Sequence, residues 1–139
     1  MVRSAALKAL TIRQPWAWAV IYAGRDVENR RWQTAYRGPL LIHAAKQADP
    51  AAAARLLWTM SDPEAFGQPR TAFEARGAII GIAYLSEILT DSPSQWAEQR
   101  CYHWKLESPA PVDAPVPCQG RQRLWNPPRA AVEAVAGLL

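Results

Sequence analysis

The chain has 139 residues, a net charge of +4 and two cysteines, and half of its residues are hydrophobic. This length and composition are typical of one globular domain with its own core, and they exclude a disordered chain. No apolar run is long enough to cross a membrane, and no secretory signal stands at the start. We therefore expect a cytoplasmic protein that forms a single domain over residues 1–139.

The predicted elements begin with a strand and a helix. An apolar run at residues 7–12 predicts the strand. Gln14-Pro15 ends it, and because the φ of proline is already helical, Pro15 suits the start of a helix predicted over residues 16–23. Gly24 is a favourable residue at the C-terminal end of that helix.

A helical wheel predicts one buried face and one open face for this helix. Trp18 and Tyr22 are four residues apart and lie together on the side interpreted as open. Trp18 is therefore expected to be accessible to a ligand. The residues on the side interpreted as core are Trp16, Ala19, Val20 and Ala23.

A polar cluster follows the helix. In RDVENRRW, residues 25–32, six of the eight side chains are charged or amides, beside a tryptophan. Glu28 has two interpretations: an ion pair with neighbouring arginines, or a group that reads base edges together with Asn29 while arginines hold phosphate. The apolar run at 39–45 then predicts a buried strand, and Lys46 stands at its end.

The remaining chain predicts short strands around a few helices, which is an α+β pattern with a barrel-like sheet. Residues 50–60 predict a helix capped by Asp49, and 61–76 predict a loop with one helical turn. Residues 77–89 are the clearest strand, with a bulge or bend at Gly81. Further predicted elements are a short helix at 94–100, a strand at 102–106, an extended edge or loop segment at 109–117, a strand at 122–125 and a helix at 129–138.

Positive charge is concentrated at the start of the chain. Residues 1–46 carry eight basic residues against Asp26 and Glu28, a net of +6, and the rest of the chain has a net of −2. A basic surface with interspersed aromatic residues is typical of proteins that bind phosphate-bearing partners, and a solvated basic face is the alternative. The eight basic residues are Arg3, Lys8, Arg13, Arg25, Arg30, Arg31, Arg37 and Lys46.

Seven tryptophans are many for a chain of this length. An aromatic ring can stack on an unpaired base, although most tryptophans fill cores. Trp16, Trp58 and Trp104 are interpreted as core residues. The candidates for a binding groove are Trp18, Trp32 and Trp125.

The two cysteines give no sign of a metal site. Cys101 and Cys118 belong to no CxxC pair, and no pair of histidines lies near them in the sequence. Disulfides are rare in the cytoplasm, so two reduced thiols are the simplest interpretation. We predict neither a metal ion nor any other cofactor.

Three segments in succession, LTIRQPWAWAVI, GRDVENRRW and YRGPLLIHAAK, resemble the signatures of the ASCH domain family, named for activating signal cointegrator homology. A weaker likeness continues through GAIIGIAYLSEIL to GRQRLW, so the resemblance covers most of residues 10–125. It implies a fold similar to the PUA domain, a small β-barrel with flanking helices. The ENRxW form resembles the branch related to the transcription-coactivator ASCH domain.

The resemblance also implies an enzymatic alternative. Some ASCH proteins are small amidohydrolases that act on N4-acetylcytidine and carry a Gly-Lys-x-x-Thr element. Here Arg25 replaces the lysine, which must release a proton, and Glu28 replaces the nucleophilic threonine, so we expect no such turnover. Ribonuclease activity is also described in the family, and the candidate proton-transfer groups for it are Glu28, Lys46 and Tyr36.

We therefore expect an α+β protein with a PUA-like barrel that binds RNA or single-stranded DNA through a basic, aromatic-lined groove. A hydrolase acting on RNA or a modified nucleoside is the alternative, and a protein-interaction or small-ligand domain is a third. A protein partner stays open, and no membrane partner is expected. The candidate nucleic-acid-binding residues are Arg13, Gln14, Trp18, Arg25, Glu28, Asn29, Arg30, Trp32, Arg37, Lys46 and Trp125.

Overall fold

The computed structural model describes residues 7–139, so Arg3 lies outside the described part of the chain. Its strands are β1 (Lys8–Ile12), β2 (Val27–Arg30), β3 (Gly38–Ala44), β4 (Ala78–Leu89), β5 (Tyr102–Pro117) and β6 (Leu124–Trp125). Its helices are α1 (Trp16–Tyr22), α2 (Ala52–Thr59), α3 (Arg70–Glu74) and α4 (Arg129–Val135), with short 3-10 helices at Pro63–Ala65 and Ala136–Leu138.

The six strands form one mixed sheet in the order β2-β5-β4-β3-β1-β6. β1 and β3 are parallel, and the other neighbouring pairs are antiparallel. The register of β4 shifts three times against β5 and once against β3. Because each irregularity bends a strand and increases its twist, the sheet curls into half of a barrel. The predicted α+β class and barrel-like sheet are confirmed.

Gly81 permits the bend predicted in β4. A Cβ at this position would lie 2.6 Å from the carbonyl oxygen of Ala110 on β5 and 2.7 Å from the side chain of Ile21 on α1. The register in which β4 pairs with β5 shifts between Ile79 and Gly81. Only a residue without a side chain lets the strand pass this close to both neighbours.

The predicted helix at residues 94–100 is wrong, because turns occupy this segment. Side chains take the backbone groups that a helix would use. The hydroxyl oxygen of Ser94 accepts from the backbone N–H of Trp96 at 3.1 Å, and Oδ1 of Asn29 accepts from the backbone N–H of Glu98 at 2.9 Å. Such local bonds compete with helix formation.

The helical wheel of α1 is right that Ala19 and Val20 are buried, but wrong about the face that it leaves open. Trp18 is completely buried, with its ring edge-on to Phe66 and Phe73 at centroid distances of 6.1 and 5.2 Å. Its Nε1–H donates to the carbonyl of Gln68 at 2.9 Å. The face that the wheel leaves open is covered by α2, α3 and the segment between them, so Trp18 is a core residue.

The three tryptophans that were predicted to be core residues lie in three different environments. Trp104 is buried, as predicted. Trp16, the first residue of α1, is half-buried and packs against the edge of the core. Trp58 is 90% exposed on α2, so its assignment to the core is wrong. The stripe that docks α2 on the protein consists of Ala52, Leu56 and Met60 instead, which lie on the opposite side of the helix from Trp58.

Within residues 7–139, no helix is long and apolar enough to cross a membrane. Cys101 and Cys118 are free and partly buried, and burial raises the pKa of both thiols. Both side chains are therefore held in the protonated, weakly nucleophilic form at neutral pH. That both thiols are reduced in the cell stays a prediction.

A candidate nucleic-acid interface

A cleft of about 740 Å³ is formed by the end of β1, the start of α1, the segment around β2 and the loop before β6. Its lining comes from residues within 11–16, 25–32 and 121–123, together with Ala45 and Glu98. The fold thus joins segments that are distant in the sequence. Arginines outnumber the two carboxylates, Glu28 and Glu98, by three to one, and they are Arg13, Arg25, Arg30, Arg31, Arg121 and Arg123.

Glu28 lies at the centre of a buried ionic cluster. Its Oε1 is 2.8 Å from Nη1 of Arg25, and its Oε2 accepts from Nη2 and Nε of Arg30 at 2.6 and 3.0 Å. Burial alone would raise the pKa of this carboxyl, but the charges and hydrogen bonds of the two arginines outweigh burial and hold the pKa below its ordinary value. Glu28 is therefore an ionised carboxylate with both oxygens occupied.

The ionic cluster fixes the two arginines in the wall of the cleft. Arg25 is buried, and its guanidinium lies 5.1 Å from the ring centroid of Trp16. Nη2 of Arg30 also donates to the carbonyl of Thr11 at 2.9 Å, which joins β2 to the end of β1. Because Glu28 orders both guanidinium groups in advance, little side-chain entropy is left to lose when an anion binds.

Trp32 forms an aromatic part of the wall. Its ring is half-buried and stands edge-on to Trp104 at 4.7 Å, and Nε1–H of Trp104 donates to the carbonyl of Trp32 at 3.2 Å. The guanidinium of Arg123 lies 4.9 Å above the ring. A planar cation over a fixed aromatic ring is the kind of surface on which a base stacks.

Several of the predicted site residues meet in this cleft, and they are Arg13, Arg25, Glu28, Asn29, Arg30 and Trp32. Asn29 lines the cleft, but its side-chain amide is already hydrogen-bonded within the protein. Its Nδ2 donates to the carbonyl of Trp96 and to Oε2 of Glu98, and its Oδ1 accepts from the backbone of Glu98. Asn29 therefore fixes the 96–98 segment, and the interpretation that it reads base edges is not favoured by its contacts.

Other predicted site residues lie elsewhere. Gln14 is buried at 1% exposure, where its Nε2 donates to the carbonyl of Ala72 and its Oε1 accepts from the backbone of Trp18, so it ties α1 to α3. Trp18 is in the core. Arg37 is exposed outside the cleft and donates to the carbonyls of Thr34 and Tyr36.

Trp125 does not line the cleft. It belongs to a buried hydrogen-bonded relay that runs from Trp125 through Thr11 and His43 to the carbonyl of Cys118. Its Nε1–H donates to Oγ1 of Thr11 at 3.1 Å, and its ring stands edge-on to His43. Since Nε2 of His43 lies 2.9 Å from the carbonyl of Cys118, this nitrogen carries the proton, and Nδ1 accepts from Thr11 at 3.1 Å. Gly120 packs on this relay, because a Cβ there would lie 2.7 Å from both His43 and Thr11.

The relay makes stability depend on pH. Burial lowers the pKa of His43 more than its bond to Cys118 raises it, so the folded protein keeps the ring neutral. The unfolded chain takes up a proton near the ordinary pKa of 6.5 and then binds more protons than the folded one. We expect the free energy of unfolding, measured in urea, to fall as pH falls below 6.5, and expect His43→Gln to lose that part of the dependence.

The three candidate proton-transfer groups do not converge. Glu28 lies in the cleft, whereas Lys46 lines an adjoining cleft of about 290 Å³ with His43 and Gln119. The two clefts share Thr11, Arg121 and Gln122. Tyr36 lines neither cleft, and its hydroxyl donates to the carbonyl of Pro39. Proton transfer needs groups within hydrogen-bond reach of one reacting atom, and neither of these two clefts is lined by more than one of the three groups.

Sequence reasoning missed part of the cleft. Arg121, Gln122 and Arg123 belong to the GRQRLW segment, of which only Trp125 was predicted as a site residue. Two arginines at alternate positions before Trp125 were the sequence signal that could have placed this segment at the site. Trp16 was assigned to the core; it packs against the core with part of its ring, and it also lines the cleft.

A curled six-stranded sheet with flanking helices and a basic cleft at one side defines a small PUA-like domain. The family model of the ASCH domain matches residues 10–116, and the chain belongs to the ASCH domain family. The resemblance seen in its sequence signatures is thereby confirmed. No curated protein matches the chain in sequence.

Solved structures of an ASCH protein from Zymomonas mobilis share this fold. The crystal structure of ASCH from that organism has a TM-score of 0.55 and 14% sequence identity, with 96% of this chain and 95% of that chain covered. Two mutants of it have the same TM-score and identity; one covers 96% of this chain and 98% of its own, and the other 99% of each. At this identity the likeness shows the fold alone.

Proposed function

We propose that the arginine-lined cleft binds single-stranded nucleic acid, with RNA as the expected partner. The observation that carries the proposal is the meeting of six arginines with the partly exposed rings of Trp16 and Trp32 around one cleft. Arginines hold phosphate groups, and aromatic rings between them accept unpaired bases by stacking. A duplex hides its base faces, so an aromatic-lined cleft favours a single strand.

Five of the six arginines divide into two groups by their contacts, and the sixth, Arg123, lies over the ring of Trp32. Arg25 and Arg30 are held by Glu28 and form a fixed positive wall. Arg13, Arg31 and Arg121 are exposed at the cleft, free to follow the phosphates of a flexible strand. Binding rather than catalysis is the function that this geometry supports best, because the candidate proton-transfer groups lie apart.

The proposal predicts an affinity for single-stranded RNA that falls steeply with salt, because each phosphate contact releases counterions. In the double variant Arg13→Ala, Arg121→Ala, we expect weaker binding and a slope of log affinity against log salt that is shallower by about 0.7 for each phosphate that is no longer neutralised. Fluorescence anisotropy of a labelled oligonucleotide across a salt series measures both quantities.

The matched control is the double variant Arg70→Ala, Arg129→Ala. Both arginines are exposed, lie outside the cleft and pair with a glutamate one helical turn later, Glu74 and Glu133. It removes the same net charge, so it should keep the wild-type slope. Equal effects of the two double variants would show that only the overall charge matters, and binding that is absent or indifferent to salt would exclude nucleic acid as the partner.

A further inference from the structure

We propose that Trp58 on α2 is a second stacking platform, which carries a bound single strand out of the cleft and across the helix; this inference rests on the proposed function. Trp58 is 90% exposed, more than any other large hydrophobic side chain of residues 7–139. Tryptophan is on average a highly buried residue. A ring left almost entirely in water does nothing for the core of this protein, and it is available to a partner.

Arg55 connects this ring to the cleft. It precedes Trp58 by three residues, so the two side chains are neighbours on the helix surface. The guanidinium of Arg55 lies 5.7 Å from the ring centroid of Trp16 and 3.6 Å from Oε1 of Glu98, and both of these residues line the cleft. A cation therefore stands between the cleft and the exposed ring.

A small cavity of about 50 Å³ makes the surface continuous between the cleft and α2. Arg55 and Thr59 line it from the helix. It shares four residues with the cleft: Trp16, Arg25, Asn29 and Glu98. A strand that leaves the cleft past Trp16 meets a phosphate-binding guanidinium and then an open aromatic face. Alternating cations and rings along one path are the arrangement that single-strand-binding surfaces use.

The exposed apolar surface is too small to favour a protein partner. Trp58 and Leu57, which is 39% exposed, are the large hydrophobic side chains that α2 presents to solvent. Together they offer roughly 300 Å² of apolar surface, whereas a stable protein interface buries about 800 Å² on each partner, of which more than half is apolar. One ring beside one arginine matches a single stacked nucleotide.

The test compares two oligouridines of about 4 and about 12 nucleotides, which bracket the footprints of small single-strand-binding folds. Trp58→Ala should lower the affinity of the longer RNA by about fivefold or more and leave that of the shorter RNA unchanged. Trp58→Phe should keep most of the affinity, because it keeps a ring. Leu57→Ala, one position away on the same helix, should bind both RNAs as the wild type does.

Wild-type affinity of Trp58→Ala for the longer RNA would overturn this inference and leave the proposed function standing. If, in addition, light scattering shows a dimeric wild type and a monomeric Trp58→Ala, Trp58 belongs to a contact between two copies of the chain, and the inference is overturned as well. Failure of the wild type to bind either RNA would overturn the proposed function, and this inference with it.

Discussion

Glu28→Gln should destabilise the folded protein by about 3–5 kcal/mol, the cost of removing one partner from a buried ionic cluster. The substitution keeps the shape of the side chain and removes its charge. Arg25, whose side chain is 5% exposed, and the partly buried Arg30 are then left without their counter-charge. The free energy of unfolding from urea titration followed by circular dichroism measures the loss.

Glu74→Gln is the matched control, because Glu74 pairs with Arg70 on the surface of α3, where both side chains are more than half exposed. Exposed pairs contribute about 0–1 kcal/mol, so this variant should be close to the wild type. Similar stabilities for Glu28→Gln and Glu74→Gln would show that the cluster is not a buried structural element.

The ionic cluster also predicts how the protein responds to acid. The folded-state pKa of Glu28 lies below the ordinary value of 4.5, so the carboxylate stabilises the fold above pH 4.5. That contribution is lost as pH falls through the folded pKa, because the unfolded chain takes up the proton first. Glu28→Gln should lack this acid-dependent loss, since its amide does not titrate.

Trp18→Ala should also cost about 3–5 kcal/mol, because it leaves a large cavity among packed aromatic rings. Phe66 and Phe73 stand edge-on to the indole, and the carbonyl of Gln68 loses its donor. The same urea titration measures the effect. The result separates the two assignments of Trp18: a groove residue would lower RNA affinity in a stable protein, whereas a core residue lowers the free energy of unfolding.

Trp58→Ala is the control for Trp18→Ala, because it removes the same side chain from a 90% exposed position. Substitutions at such surface positions change stability by about 0.5 kcal/mol or less. The two variants should therefore differ by several kcal/mol. Equal stabilities would mean that Trp18 is not a core residue.

Strands β1, β3 and β4, helix α1 and the polar cluster were predictable from the sequence, because local signals carry them. Apolar runs marked β1, β3 and β4, and Gly81 marked the bend in β4. The charges around Glu28 left two interpretations, and the contacts show the ion pair: both carboxylate oxygens bind arginines. The ion pairs could be predicted from the sequence because Arg25, Glu28 and Arg30 lie within six residues of each other.

The sequence by itself determined the family, the α+β class and the basic, aromatic character of the site. Only the tertiary structure decided which tryptophans reach it. A helical wheel describes one helix without its neighbours, so it did not show that α3 covers Trp18 or that Trp58 stays open to solvent. Arg121 and Arg123 likewise join the cleft because β6 pairs with β1, a contact between distant positions that local patterns do not specify.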